Sequence, residues 1–274
     1  MKLSQSTFLY FNYPLREAIR RLSDLGYDGV EIWGGRPHAY CRDVSAAEAS
    51  RIRGWLEELE IQVSAFIPAQ FRYPTCLCSP EDGIRRDSVQ YLKDSIDTSL
   101  SLGCRKVSVC PGHTLYGQGY ENGMDRLQES LKELTDYAGE KEVLLFLEPA
   151  HRLESDLVIT VEDGVRLVRE IGAENLGLVM DTGHCFVNRE SLPDCVALMQ
   201  GIPYHIHIDD NTGLSDDHLV PGDGRICFVP FLKALKNHAY EGFLTAELGW
   251  GYTAEPDAAA YRCKVFMDSL LGGI

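Results

Sequence analysis

Apolar and polar positions along this chain switch repeatedly between a two-residue and a helical period, from one end to the other. Lys2–Thr7 reads as a strand, followed by a helix from Pro14, whose fixed φ suits a first helical turn, to about Leu25. A Gly26-Tyr27-Asp28-Gly29 turn leads to a strand over Val30–Trp33, a helix over Ser45–Leu59 and a strand over Gln62–Phe66. Ser45 is the expected N-cap of that helix, and Glu48, three residues on, completes a capping box. A Pro- and Cys-containing loop, Pro68–Pro80, precedes a long helix from Asp82 to Leu102, which Gly103 ends. Strands are then expected over Lys106–Cys110, Val143–Glu148, Leu176–Asp181, Tyr204–Asp209 and Phe243–Glu247. Helices over Gly123–Ala138, Thr160–Ile171, Leu192–Met199, Val229–His238 and Pro256–Leu271 separate and follow them. About eight strand–helix units without an intervening linker call for a single domain, residues 1–274, folded as an α/β (β/α)₈ TIM barrel. An open doubly wound sheet is the alternative, but no Gly-rich dinucleotide loop follows the first strand.

The stretch Tyr204-His205-Ile206-His207-Ile208-Asp209-Asp210 carries the first chemical signal. Strand alternation puts His205, His207 and Asp209 on one face and Ile206 and Ile208 on the other. Three other expected strands end on a carboxylate: Glu148 before Pro149, Asp181 before Thr182, and Glu247 before Leu248. Active sites of such barrels sit at the carboxyl ends of the strands, so Glu148, Asp181, His207 and Glu247 are expected on one rim. Three like charges there would repel unless a divalent cation or a cationic substrate compensates. Three carboxylate oxygens with one imidazole nitrogen suit one divalent ion, Mn²⁺ first, with Co²⁺, Mg²⁺ or Zn²⁺ as alternatives.

Composition narrows the partners. Lys and Arg number 26 against 41 Asp and Glu, a formal charge of −15, which repels phosphate backbones and anionic membranes. A neutral or partly cationic small substrate is therefore expected, with neither nucleic acid nor membrane as partner. The nine cysteines are scattered, and Cys76-Leu77-Cys78 has no second pair to complete a structural zinc site, so reduced thiols are expected. Met1–Ser6 leads straight into a strand pattern rather than a secretory leader, and a cytoplasmic location is expected.

The sequence resembles the xylose-isomerase-like sugar isomerase/epimerase superfamily, and within it the fructoselysine 3-epimerase group and the related ketohexose 3-epimerases. The resemblance rests on Leu25–Ala39 (Leu-Gly-Tyr-Asp-Gly-Val-Glu-Ile-Trp-Gly-Gly-Arg-Pro-His-Ala), on Leu147-Glu148-Pro149 and on Ser215-Asp216-Asp217-His218. Pro221-Gly222-Asp223-Gly224 and Tyr240-Glu241-Gly242-Phe243 add to it. It implies a metal-dependent isomerase that inverts C3 of a ketose or ketose-amine through proton abstraction and an enediolate. Glu148 and Glu247 would be both the acid/base pair and, with Asp181 and His207, the metal ligands. Glu154, His184 and Arg225 match substrate-contacting positions of ketohexose 3-epimerases, and His38 would reach the far end of the substrate. Trp33 and Trp250 could wall the sugar. A sugar substrate and a homo-oligomeric assembly are expected on the same ground.

Other readings remain open at this stage. A zinc phosphodiesterase of the abasic-site endonuclease type would use more ligands, and His113, Asp181-x-x-His184 and Asp216-x-His218 are available. Another sugar isomerase or dehydratase reaction could use the same residues. A non-catalytic sugar-binding module would have no need of the paired glutamates.

Overall fold

A computed structural model describes residues 1–70 and 75–274, so part of the expected loop Pro68–Pro80 lies outside the described residues. Eight parallel strands close on themselves in sequence order, each hydrogen-bonded to the next and β8 to β1. They are β1 (Lys2–Ser6), β2 (Gly29–Gly34), β3 (Gln62–Pro68), β4 (Lys106–Val109), β5 (Leu144–Leu147), β6 (Leu176–Asp181), β7 (Tyr204–Ile208) and β8 (Phe243–Ala246). The outer helices are α1 (Leu15–Asp24), α2 (Ala46–Glu58), α3 (Asp82–Ser101), α4 (Tyr120–Gly139) and α5 (Val161–Ile171). They continue with α6 (Thr182–Val187), α7 (Leu192–Leu198), α8 (Phe228–Asn237) and α9 (Pro256–Leu271). The expected (β/α)₈ barrel is the fold. Among the described residues no helix is long and apolar enough to cross a membrane.

Local chemistry sets the helix ends. Thr160 Oγ1 accepts from the Asp163 N–H while Asp163 Oδ2 accepts from the Thr160 N–H, a reciprocal cap on α5, and Gly172 at φ 71° ends that helix. Ser45 caps α2 by accepting from the Glu48 N–H, but the Glu48 carboxylate pairs with Arg51 instead of returning to the cap. On α1, buried Leu15, Ala18, Ile19 and Leu22 follow the spacing of one helical face.

Alternation along the strands separates two interiors. Val30, Ile32, Ile206, Ile208, Leu244 and Ala246 belong to the apolar layer between barrel and helices. The residues between them point into the lumen and meet there: His205 Nε2 lies 3.1 Å from Thr245 Oγ1, which lies 2.5 Å from Ser4 Oγ. The pairing of β2 with β3 slips between Val30, opposite Val63, and Glu31, opposite Ala65. β3 therefore carries one extra residue, Ser64, whose hydroxyl accepts from Ser4 Oγ at 3.0 Å.

Candidate active site

Glu148, Asp181, His207 and Glu247 meet at the carboxyl ends of β5 to β8, around one atom. His207 Nδ1 lies 3.0 Å from Glu148 Oε1, 3.0 Å from Glu247 Oε2 and 3.9 Å from Asp181 Oδ2. All four residues are buried or nearly so. Burial opposes a charged His207, but the surrounding carboxylates outweigh it and hold its pKa well above the ordinary value. The two glutamates diverge. Burial lifts Glu148, whereas at Glu247 the charge and hydrogen bond of His207 overcome burial and hold the carboxyl below its usual range.

Asp181 divides its two oxygens between separate tasks. Oδ1 accepts from the His184 N–H at 2.8 Å and so caps α6. Oδ2 is buried without a hydrogen-bond partner among the described residues and faces the same centre as the glutamates. An unpartnered buried carboxylate oxygen is costly unless a cation completes it. One ligand atom from each of Glu148, Asp181, His207 and Glu247 lies within 4.8 Å of the others. The donor set therefore fits a divalent ion, with His207 offering Nδ1.

On its other side His207 is held by Glu31, from β2 across the lumen, whose Oε2 lies 3.0 Å from His207 Nε2 and 3.2 Å from His205 Nε2. Glu31 is fully buried; burial opposes its charge, yet the two imidazoles hold its carboxyl at about 2. Sequence reasoning quoted Glu31 within a motif and gave it no place in the site. The signal available was a lone carboxylate between two apolar residues in mid-strand.

A second cluster stands beside the first, over β5 to β7. Asp216 Oδ2 lies 3.3 Å from His151 Nε2, 3.3 Å from His184 Nε2 and 2.9 Å from His218 Nε2. Burial works against charge on Asp216, but the three imidazoles overcome it and hold the carboxyl far below the usual range. His184 donates from Nδ1 to the Pro149 carbonyl at 3.1 Å, which fixes its ring. His218 Nδ1 is 2.9 Å from the Glu247 carbonyl and 2.8 Å from Asp209 Oδ2; the carbonyl has the better hydrogen-bonding direction. Glu154 Oε2 approaches His151 Nε2 at 3.9 Å, so Glu154 and His184 share one wall. Asp210 shapes the loop that carries Asp216 and His218, accepting from the N–H groups of Gly222, Gly224 and Ile226 at 2.9–3.0 Å. His151 had no part in the sequence reading, and Asp210 was quoted there only as the end of the Tyr204–Asp210 stretch, without a role.

The remaining candidates have surroundings of their own. His38 is buried with both ring nitrogens engaged inside the protein: Nδ1 at 3.1 Å from Thr7 Oγ1, Nε2 at 3.0 Å from the Tyr13 carbonyl. Burial lowers its pKa to about 4, so the ring is neutral, with Nε2 donating to the Tyr13 carbonyl. Thr7 and Tyr13 thus take up both ring nitrogens of the histidine expected to reach the far end of the substrate. Arg225 is exposed on the loop after β7, anchored by its backbone N–H to the Asn211 carbonyl at 2.9 Å. His113 is not one of the four residues of the centre, and its Nδ1 lies 3.1 Å from the Thr114 carbonyl. Trp33 and Trp250 both meet Phe8 edge to face, at 5.2 and 4.7 Å between ring centroids.

Comparison with known proteins agrees with this architecture. A fructoselysine 3-epimerase from Shigella flexneri is 29% identical over 256 residues, covering 93% of each chain. A D-psicose 3-epimerase from Enterocloster bolteae is 25% identical over 87% of this chain and 80% of its own. Among solved structures, a D-tagatose 3-epimerase-like protein superimposes with a TM-score of 0.85 at 22% identity, over 99% of this chain and 97% of its own. The family described as xylose isomerase-like TIM barrel matches residues 19–267, nearly the whole barrel and all the strand-end residues above. The chain belongs to that family.

Proposed function

We propose that this protein is a divalent-metal-dependent 3-epimerase of a ketose or ketose-amine, of the fructoselysine/psicoselysine type. The observation that carries this reading is the pair of glutamates flanking one point, Glu148 from β5 and Glu247 from β8, each 3.0 Å from His207 Nδ1. Epimerisation beside a ketone needs a base that removes the C3 proton and an acid that returns one to the opposite face. Glu148 and Glu247 take these two parts and exchange them when the reaction runs backwards. Mn²⁺ held by Glu148, Asp181, His207 and Glu247 would act as a Lewis acid on the ketone and neighbouring hydroxyl oxygens. Glu154 and His184, together on the neighbouring wall, are assigned to substrate hydroxyls, and Arg225 to the open rim. The named activity of the Shigella flexneri relative supports the choice of a ketose-amine.

Incubating the protein with ketoses and amine-linked ketoses in D₂O, and following loss of the C3–H signal, tests the reaction. Glu148→Gln and Glu247→Gln should each cost at least about a hundredfold in rate, the usual contribution of a positioned acid/base group. Near-normal turnover in either variant would sink the two-glutamate mechanism.

The three imidazoles around Asp216 favour a second reading, a zinc phosphodiesterase with additional ions at His184, Asp216 and His218. The charge of −15 weighs against a polyanionic substrate. Elemental analysis separates the two: the epimerase reading requires one tightly held ion per chain, the hydrolase reading several zincs.

A further inference from the structure

The lumen beneath the centre holds more polar chemistry than a packed barrel interior requires. Glu31 on β2 and His205 on β7 are fully buried, are neither among the expected metal ligands nor at the rim, and face each other across the barrel. A carboxylate buried in a barrel core is costly unless it serves a fixed set of donors. Here it does: Glu31 Oε2 faces both His207 Nε2 and His205 Nε2, while Oε1 has no partner among the described residues. Both imidazoles thus converge on a single oxygen.

We propose that Glu31 is a positioning residue for the metal centre: it fixes His207 as the Nε2–H tautomer, so that the Nδ1 lone pair points at Glu148, Asp181 and Glu247. This rests on the reading of His207 as a metal ligand. A neutral imidazole has one N–H and one lone pair, and whichever nitrogen donates decides which can ligate. The 3.0 Å contact from Nε2 to a carboxylate makes Nε2 the donor. It leaves Nδ1, the atom 3.0 Å from both glutamates, as the ligating one. His205 acts through the same oxygen. It lies between Glu31 Oε2 at 3.2 Å and Thr245 Oγ1 at 3.1 Å, so it braces the carboxylate from below. Ser4 and Ser64 extend the brace to β1 and β3. The register slip opposite Glu31 is what brings Ser64 into that chain.

The test reads metal binding rather than turnover. Mn²⁺ is titrated into metal-free protein and free Mn²⁺ followed by electron paramagnetic resonance. Glu31→Gln keeps the volume, but its amide offers a weaker acceptor to two donors, and the dissociation constant should weaken about 10- to 100-fold. Glu31→Asp, which keeps the charge, should recover part of the loss. A dissociation constant for Glu31→Gln within about twofold of wild type, while His207→Ala loses binding, would overturn this inference alone. Wild-type protein that binds no Mn²⁺ would overturn the metal reading and this inference with it. A measurement on the unaltered protein guards against a variant that fails to fold. In Zn²⁺-loaded protein, the ¹⁵N spectrum of His207 should show a proton on Nε2 and the metal on Nδ1. The reverse assignment would refute the role of Glu31 outright.

Discussion

If Glu148, Asp181, His207 and Glu247 hold a divalent ion, adding that ion must stabilise the folded chain by a calculable amount. A ligand at about a hundred times its dissociation constant contributes ~2.7 kcal/mol to the native state. An unfolding entropy of ~2.1 cal/mol/K per residue over 274 residues gives ~0.6 kcal/mol/K, so the unfolding midpoint should rise by ~5 °C. Differential scanning calorimetry of metal-free protein with and without Mn²⁺ measures this directly. His207→Ala removes the nitrogen at the centre and should abolish the shift, whereas His218→Ala, altered at the neighbouring cluster, should keep it. The pH dependence has a definite sign. The carboxylates around His207 keep it protonated well above its ordinary pKa, and that proton must leave before Nδ1 can ligate. Affinity should therefore tighten as pH rises, by at most about tenfold per unit while one proton is displaced. A shift that survives His207→Ala, or one that weakens with rising pH, would refute the assignment of the centre.

Two further predictions follow from individual side chains. Asp181→Asn keeps an oxygen to cap α6 but replaces the unpartnered Oδ2 with an NH₂; thermal stability without metal should change by less than about 1 kcal/mol, while Mn²⁺ affinity collapses, and parallel losses of both would contradict the division of labour between the two oxygens. His38 takes a proton near 6.5 when unfolded but only at about 4 when folded, so its contribution is complete above pH 6.5 and is lost as pH falls towards 4, amounting there to about 3 kcal/mol. Urea denaturation of wild type and His38→Asn at pH 7 and pH 4.5 should show a shallower acid loss in the variant, and identical slopes would refute it.

The barrel was legible because its strands and helices differ in period and are punctuated by Gly and Pro, and the centre because Glu148, Asp181, His207 and Glu247 sit at strand ends. Other parts were not, for physical reasons. Helix α6 has only six residues, too few to show a period, and its cap is the same Asp181 that reads as a metal ligand. Glu31 finds its partners 174 and 176 residues away, across a lumen that only closure of the barrel creates. His38 fits a functional motif in sequence, yet Thr7 and the Tyr13 carbonyl occupy its nitrogens, and neither is visible in the motif itself. The convergence of His151, His184 and His218 on Asp216 depends on the loop that Asp210 gathers, whose turns carry no hydrophobic pattern.

The extra residue in β3 gives this barrel an unusual intolerance to changes in length. Loops at the rim can grow or shrink and leave the sheet untouched. Deleting Ser64 would do the opposite: it would align Val63 and Ala65 into an uninterrupted ladder with β2, a more regular strand pair than the protein has now. That same deletion removes the hydroxyl joining β3 to Ser4, Thr245 and His205, and re-aims the backbone facing Glu31. A chain one residue shorter there would form a tidier sheet around a looser centre. Among descendants of this sequence, length variation should collect in the loops, and the number of residues between Val30 and Phe66 within β2 and β3 should stay fixed wherever the lumen chain from Ser64 to Glu31 is kept.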